Sequence, residues 1–183
     1  MTPESGVRAA RSRIGRRRRP GRGSSPDGPV LSWVGDERIA ISAVPRPAAM
    51  AGLAGQGVTH VVNCRPRLDV WWGGDLAAER TAFGADRVVH AAMQDHRRRQ
   101  RPATWAAAAR FAARVLDTEP DAKVLIHCTA GMHRSVMVAY AVLRLRGHDR
   151  GEAAALVLRY RARAELLPAY VRSVEQWLAV AAQ

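Results

Sequence analysis

Apolar positions along this chain fall in short bursts separated by Gly, Pro and charged residues, and the spacing inside each burst predicts an element. "LSWVGDERIAISAVP" reads as one or two short strands broken at Gly35–Asp36. "AAMAGLAGQG" predicts a short helix closing at Gly57, and "VTHVVNC" an apolar strand. "RPRLDVWWGGD" reads as a loop, followed by a short helix over 75–83. "RVVHAAM" predicts another strand and "QDHRRRQRP" a polar connection. Residues 104–116, "TWAAAARFAARVL", combine helix-forming composition with a helical apolar period. "AKVLIHC" is the central strand, and helices are expected at about 134–146, 149–159 and 166–181. Strands alternating with helices predict an α/β fold, a three-layer-like domain whose central, mostly parallel sheet is flanked by helices.

The pattern begins only at Val30. Residues 1–29, "MTPESGVRAARSRIGRRRRPGRGSSPDGP", hold almost no bulky apolar side chains. Burial there cannot offset the entropy of ordering, so the segment is expected to be a disordered basic tail. Residues 30–183 then form one domain, and a chain of 183 residues with 48% hydrophobic content is long enough for a sizeable core.

Charge sharpens the picture. The chain carries 29 Lys and Arg against 16 Asp and Glu, a formal net of +13. The tail, with eight Arg against Glu4 and Asp27, supplies +6 of it and the body +7. Such an excess favours phosphate-bearing partners without naming one. The arginine run at 16–19 suits weak contact with nucleic acid or an anionic surface, although no nucleic-acid-binding motif accompanies it. Two cysteines, Cys64 and Cys128, are too few for a disulfide-scaffolded secreted domain. No apolar run approaches the roughly 18 residues that span a bilayer, and the N-terminus lacks a signal-peptide pattern. The expected location is cytoplasmic.

Chemistry concentrates in "IHCTAGMHRS", residues 126–135. A strand ending at Cys128 and a helix beginning near Arg134 put a tight turn at the carboxyl end of a strand, where open α/β sheets bind ligands. Backbone N–H groups of Thr129, Ala130, Gly131, Met132, His133 and Arg134 can converge there on one anion, reinforced by the helix N-terminus. Gly131 permits the bend, and Arg134 adds a two-pronged guanidinium suited to phosphate oxygens. The same field should ionise the Cys128 thiol below its free value of about 8.5. Ser135 is placed to donate to the thiolate or to help it leave. A phosphate held against a thiolate is arranged for nucleophilic attack on phosphorus.

"HCTAGMHRS" resembles the His-Cys-five-residues-Arg-Ser signature of the cysteine-based protein tyrosine phosphatases. The likeness extends over about residues 31–178, and the small dual-specificity branch is the part it resembles. "WVGDERIAISA" looks like that branch's first strands. "YAVLRLRGHDRGEAAALVLRYR" is similar to its helical pair, and "YVRSVEQWL" to its closing helix. "GVTHVVNC" looks like the strand whose Asn, here Asn63, supports the phosphate loop. His127 matches the family's His and is expected to order the loop by hydrogen bonding. The resemblance implies a phosphatase working through a cysteinyl-phosphate intermediate, with no metal or other cofactor.

Expulsion of an alcohol or phenol needs a proton donor. In the family this is an aspartate about thirty residues before the cysteine. Asp95, which is 33 positions before Cys128 and follows "VVHAAM", fits best; Asp86, Asp117 and Asp121 are its rivals. His133 stands where many relatives have a small residue, and reads either as part of a positive rim or as an exposed side chain without a role. Cys64 reads as a core side chain, with a reversible disulfide to Cys128 as the alternative. Trp71 and Trp72 read either as rim or as packing.

Little room remains between Val30 and "GVTH" for the loop that deepens the cleft of phosphotyrosine-only relatives. The expected substrates are therefore phosphotyrosine and phosphoserine/threonine proteins. "HRRRQR" at 96–101 favours an anionic or multiply phosphorylated one, with a merely solvated loop as the alternative. Phosphoinositides, inositol phosphates or phosphoglucan are a second reading of the same chemistry. A catalytically silent phosphate-binding or nucleic-acid-binding module is a third.

Overall fold

The run Val124–Cys128 forms the middle strand of a five-stranded sheet and is buried along its whole length. The structure is a computed structural model and describes residues 30–181; the expected disordered tail, residues 1–29, lies outside the described residues. In chain order the strands are β1 (Ser32–Trp33), β2 (Ile39–Ala43), β3 (His60–Asn63), β4 (Val88–His90) and β5 (Val124–Cys128). Their order across the sheet is β1-β2-β5-β3-β4. Only β1 runs antiparallel to its neighbour; every other pairing is parallel. The expected three-layer α/β architecture is the one observed.

Alternation along the strands separates the two faces of the sheet. Ile39, Ile41, Val62, Val124 and Ile126 join the larger apolar core, whereas Ala40, Val61 and Leu125 join a smaller one. The larger core is closed by α4 (Ala106–Thr118), α5 (Arg134–Leu145), α6 (Arg150–Tyr160) and α7 (Pro168–Ala181). The smaller is closed by α1 (Met50–Gly55) and α3 (Asp75–Phe83). Helix α5 is buried from Arg134 through Leu143, as a helix packed beneath the sheet's centre must be. Helix α6 starts with a capping box, in which Asp149 Oδ1 accepts from the Glu152 N–H at 2.8 Å and Glu152 Oε2 from the Asp149 N–H at 3.0 Å.

One segment departs from its sequence reading. "RPRLDVWWGGD" is not a loop: Arg67–Gly73 forms α2, which ends at Gly74 in the left-handed region (φ +64°). Pro66 before the helix and two glycines at its end hide a run of only seven residues. Its single buried side chain, Val70, supplies no inward stripe. The helix expected over 75–83 has those bounds, and the remaining helices differ from expectation by one or two residues at their ends.

Candidate active site

The parallel register sets the first distances. Asn63 lies opposite His127, and the next N–H along, that of Cys64, donates to His127 O at 2.8 Å. Cys64 and Cys128 therefore leave the sheet side by side at its carboxyl edge. Both are buried, and both are free thiols.

Beyond Cys128 the chain turns through Thr129–His133 into α5. Gly131 has φ +65°, and a Cβ there would stand 2.5 Å from the backbone of Ser42 and 2.6 Å from Arg161 Nη2. Only glycine fits. The loop carbonyls are tied outward: Arg161 Nε donates to Gly131 O at 3.1 Å and its Nη2 to Ala130 O at 3.5 Å. The Val44 N–H donates to Thr129 O at 3.4 Å, and the Glu165 N–H to Met132 O at 2.9 Å. With its carbonyls engaged outside, the loop is free to turn N–H groups toward the thiol. The Gly131 N–H does so, 3.2 Å from Cys128 Sγ. His133, the residue before α5, makes no side-chain cap, so it does not engage the first N–H groups of the helix.

Ser135 Oγ lies 3.3 Å from Cys128 Sγ. Burial pushes the Cys128 thiol up. The hydroxyl and amide of Ser135, the charge of Arg134 and the Gly131 amide outweigh burial, and the thiol ionises below its ordinary range. Cys64 goes the other way, because burial and the neighbouring Cys128 both hold it well above that range. Two thiols at one sheet edge are thus split, one inclined toward the thiolate and the other held as the thiol.

Arg134 is buried under the loop. Nη1 donates to Met93 O at 3.3 Å and to Cys64 O at 3.5 Å, and Nη2 to Thr129 Oγ1 at 3.1 Å. Its Nε has no hydrogen-bond partner among the described residues. A guanidinium pinned this way faces the loop as a fixed cation able to bind an oxyanion.

Asp95 lies in the segment after β4, on the same carboxyl edge. Its Oδ2 is 3.1 Å from His133 Nδ1 and 3.6 Å from Arg134 Nε, and its Oδ1 accepts from the Tyr170 hydroxyl at 3.1 Å. The rival aspartates lie elsewhere. Asp86 is in the turn Ala85–Arg87 that leads into β4, Asp117 is bonded to Arg146 Nε at 2.9 Å, and Asp121 precedes β5. All three belong to segments at or near the opposite, amino edge of the parallel strands. His133, read as rim or bystander, instead bridges Asp95 and Glu165, its Nε2 lying 3.0 Å from Glu165 Oε2. Arg97, from the basic 96–101 segment, also reaches Glu165 Oε2, at 3.1 Å.

Beneath β3 and β5 lies a buried polar network that the sequence showed only at two ends. Asn63 Nδ2 donates to Asp75 Oδ2 at 2.7 Å and to both Glu79 oxygens at 3.1–3.2 Å. His127 Nε2 lies 2.7 Å from Glu79 Oε1, and Arg65 Nη1 donates to Asp75 Oδ1 at 2.5 Å. Ligand-type atoms of Asp75, Glu79 and His127 all fall within 4.8 Å of one another. The bonds from Asn63, Arg65 and His127 to these carboxylates make the group a hydrogen-bond network in its own right. The trace that its two carboxylates leave in the sequence is their i, i+4 spacing on a helix. Arg161, Tyr170 and Glu165 also went unassigned; Arg161 closes the quoted "VLRYR" run.

No protein-family model matches the chain, and no curated protein matches it in sequence. Solved structures do match. Tk-PTP in its active form superposes with a TM-score of 0.65 at 23% identity, over 84% of this chain and 96% of that one. Human DUSP28 gives 0.64 at 20% identity, over 87% and 98%. PTPMT1 in complex with PI(5)P gives 0.65 at 14% identity, over 81% and 96%. From β1 to α7, the chain has the fold of the cysteine-based protein tyrosine and dual-specificity phosphatases.

Proposed function

We propose that this protein is a cysteine-dependent phosphatase that hydrolyses phosphate monoesters through a cysteinyl-phosphate intermediate. The observation that carries the reading is the environment of Cys128, a buried thiol of lowered pKa facing the Gly131 amide and Ser135 Oγ, with Arg134 pinned alongside. In the first step the Cys128 thiolate attacks phosphorus and an S–P bond forms as the P–O ester bond breaks. The leaving oxygen takes the proton held by Asp95. Arg134 and the loop amides bear the charge on the equatorial oxygens. In the second step water attacks the same phosphorus and gives its proton to the Asp95 carboxylate. The S–P bond breaks, Cys128 leaves as thiolate with Ser135 donating to it, and inorganic phosphate departs. The chain's own residues supply every role in these two steps.

Phosphotyrosine and phosphoserine/threonine proteins are the substrates this reading favours. Phosphoinositides are the second reading, supported by the exposed arginines of the 96–101 segment beside Asp95 and by the similarity to PTPMT1 in complex with PI(5)P. A panel of phosphotyrosyl and phosphoseryl peptides against phosphoinositides separates the two. Cys128→Ser tests the chemistry common to both: turnover of an aryl phosphate should vanish while binding of a phosphate analogue persists. Hydrolysis by the variant at the wild-type rate overturns the reading.

A further inference from the structure

Helix α2, unforeseen in the sequence, carries an unusual surface. Leu68, Trp71 and Trp72 follow the i, i+3, i+4 spacing that lines up side chains on one side of a helix. They are 67%, 74% and 79% exposed, while Val70 is buried beneath them. The two indoles pack edge to face, 5.0 Å between centroids and 69° between planes. They form a ridge that projects from the molecule. Clustered large apolar side chains in water are costly, and such a cluster marks a contact surface.

Charge surrounds the ridge. Behind Trp71 a cleft between α2 and α3 is lined in part by Arg67, Arg80 and His90. Asp69 is the one acidic residue on α2, and it is half-buried. Position matters as well. Helix α2 begins three residues after Cys64, whose carbonyl accepts from Arg134. The ridge therefore stands on the sheet edge that holds the phosphate loop.

We infer that the Leu68, Trp71 and Trp72 ridge inserts into the headgroup layer of an anionic lipid bilayer, with Arg67 and Arg80 on its phosphates. Indole rings settle at that depth, and binding there grows with buried apolar area and with basic charge facing anionic lipid. A second copy of this chain is a poor occupant, because a body of net charge +7 would set Arg67 and Arg80 against their own images. A ridge also requires a matching cavity in a protein partner, whereas a fluid bilayer simply yields to it. The inference concerns binding alone and stands whether or not Cys128 is a nucleophile.

The test uses the full chain and its Trp71→Ala/Trp72→Ala variant on phosphatidylcholine vesicles with and without phosphatidylserine. Residues 1–29 carry positive charge of their own, so the deciding readout is quenching of tryptophan emission by lipids brominated on their acyl chains. The wild type should bind the anionic vesicles in a salt-dependent way and be quenched. The double variant, with its thermal midpoint checked, should lose the quenching and bind about tenfold more weakly. Unquenched wild-type emission on bound vesicles overturns the inference, as does equal binding by the variant. Self-association that needs the two tryptophans, without vesicle insertion, overturns it in favour of a second copy.

Discussion

Glu79 Oε1 and His127 Nε2 are 2.7 Å apart, and neither residue is exposed to solvent. His127 immediately precedes the candidate nucleophile, and Glu79 also accepts from Asn63 on the adjacent strand. One carboxylate on α3 thus ties the end of β5, from which the loop 129–133 springs, to the end of β3 beside it. Glu79→Ala leaves a buried ring nitrogen and a weakened amide contact, each unsatisfied donor costing about 1–3 kcal/mol. The variant should melt earlier in a thermal scan and lose kcat on an aryl phosphate. Glu79→Gln keeps an acceptor for His127 and should recover part of both. An unchanged thermal midpoint and kcat in Glu79→Ala would remove the network from the account.

Gly131 gives a sharper local test. A Cβ there meets backbone at 2.5 Å and the Arg161 guanidinium at 2.6 Å, and the φ of +65° is itself unfavourable for alanine. Gly131→Ala should abolish binding of a phosphate analogue, measured calorimetrically, while circular dichroism still reports the α/β fold. Retained binding would mean that the loop does not need this conformation.

The two thiols should titrate apart. The Cys128 pKa is lowered, so its thiolate persists to lower pH than an ordinary cysteine, whereas Cys64 is held well above the ordinary range. Iodoacetate reacts with thiolate alone. Alkylation followed by mass spectrometry should modify Cys128 and leave Cys64 intact, with the acid limb of the rate lying below that of a free thiol. Ser135→Ala removes a hydrogen bond to the charged form and should move that limb to higher pH. A limb that stays in place excludes Ser135 from stabilising the thiolate.

The parts of this molecule that were legible in the sequence are those whose cause is local. "KVLIHC" is apolar because β5 is buried on both faces, and the turn into α5 needs the glycine and arginine that follow it. Asp95 was legible as a candidate through its place after a strand, which is also what puts it on the same sheet edge as Cys128. Helix α2 was not, because Leu68, Trp71 and Trp72 point to solvent and its caps read as loop. Arg161 and Glu79 were not, because their partners lie 30 and 48 residues away in the chain and are joined only by the fold. His133 could be placed in the loop, but its bridge to Glu165 depends on a segment that returns after α6.

Asp95 carries the test of proton donation. Asp95→Asn should slow hydrolysis of alkyl and ordinary aryl phosphates by about 10²–10⁴-fold, the usual worth of a positioned general acid. It should cost far less when the leaving group is already a stable anion. Asp86→Asn, at the other end of β4, should change neither. If Asp86→Asn shows the leaving-group dependence and Asp95→Asn does not, the donor is misassigned.

The central claim is that a phosphoryl group passes through Cys128. Mixing the full-length protein with an aryl phosphate that has a good leaving group, then quenching in acid within the first turnovers, traps whatever covalent species forms. Peptide mass spectrometry should find one phosphoryl group on the fragment containing Cys128, formed as fast as the burst of released phenol and absent from Cys128→Ser. Turnover with no phosphoryl group on Cys128, or with one on another residue, would contradict the mechanism.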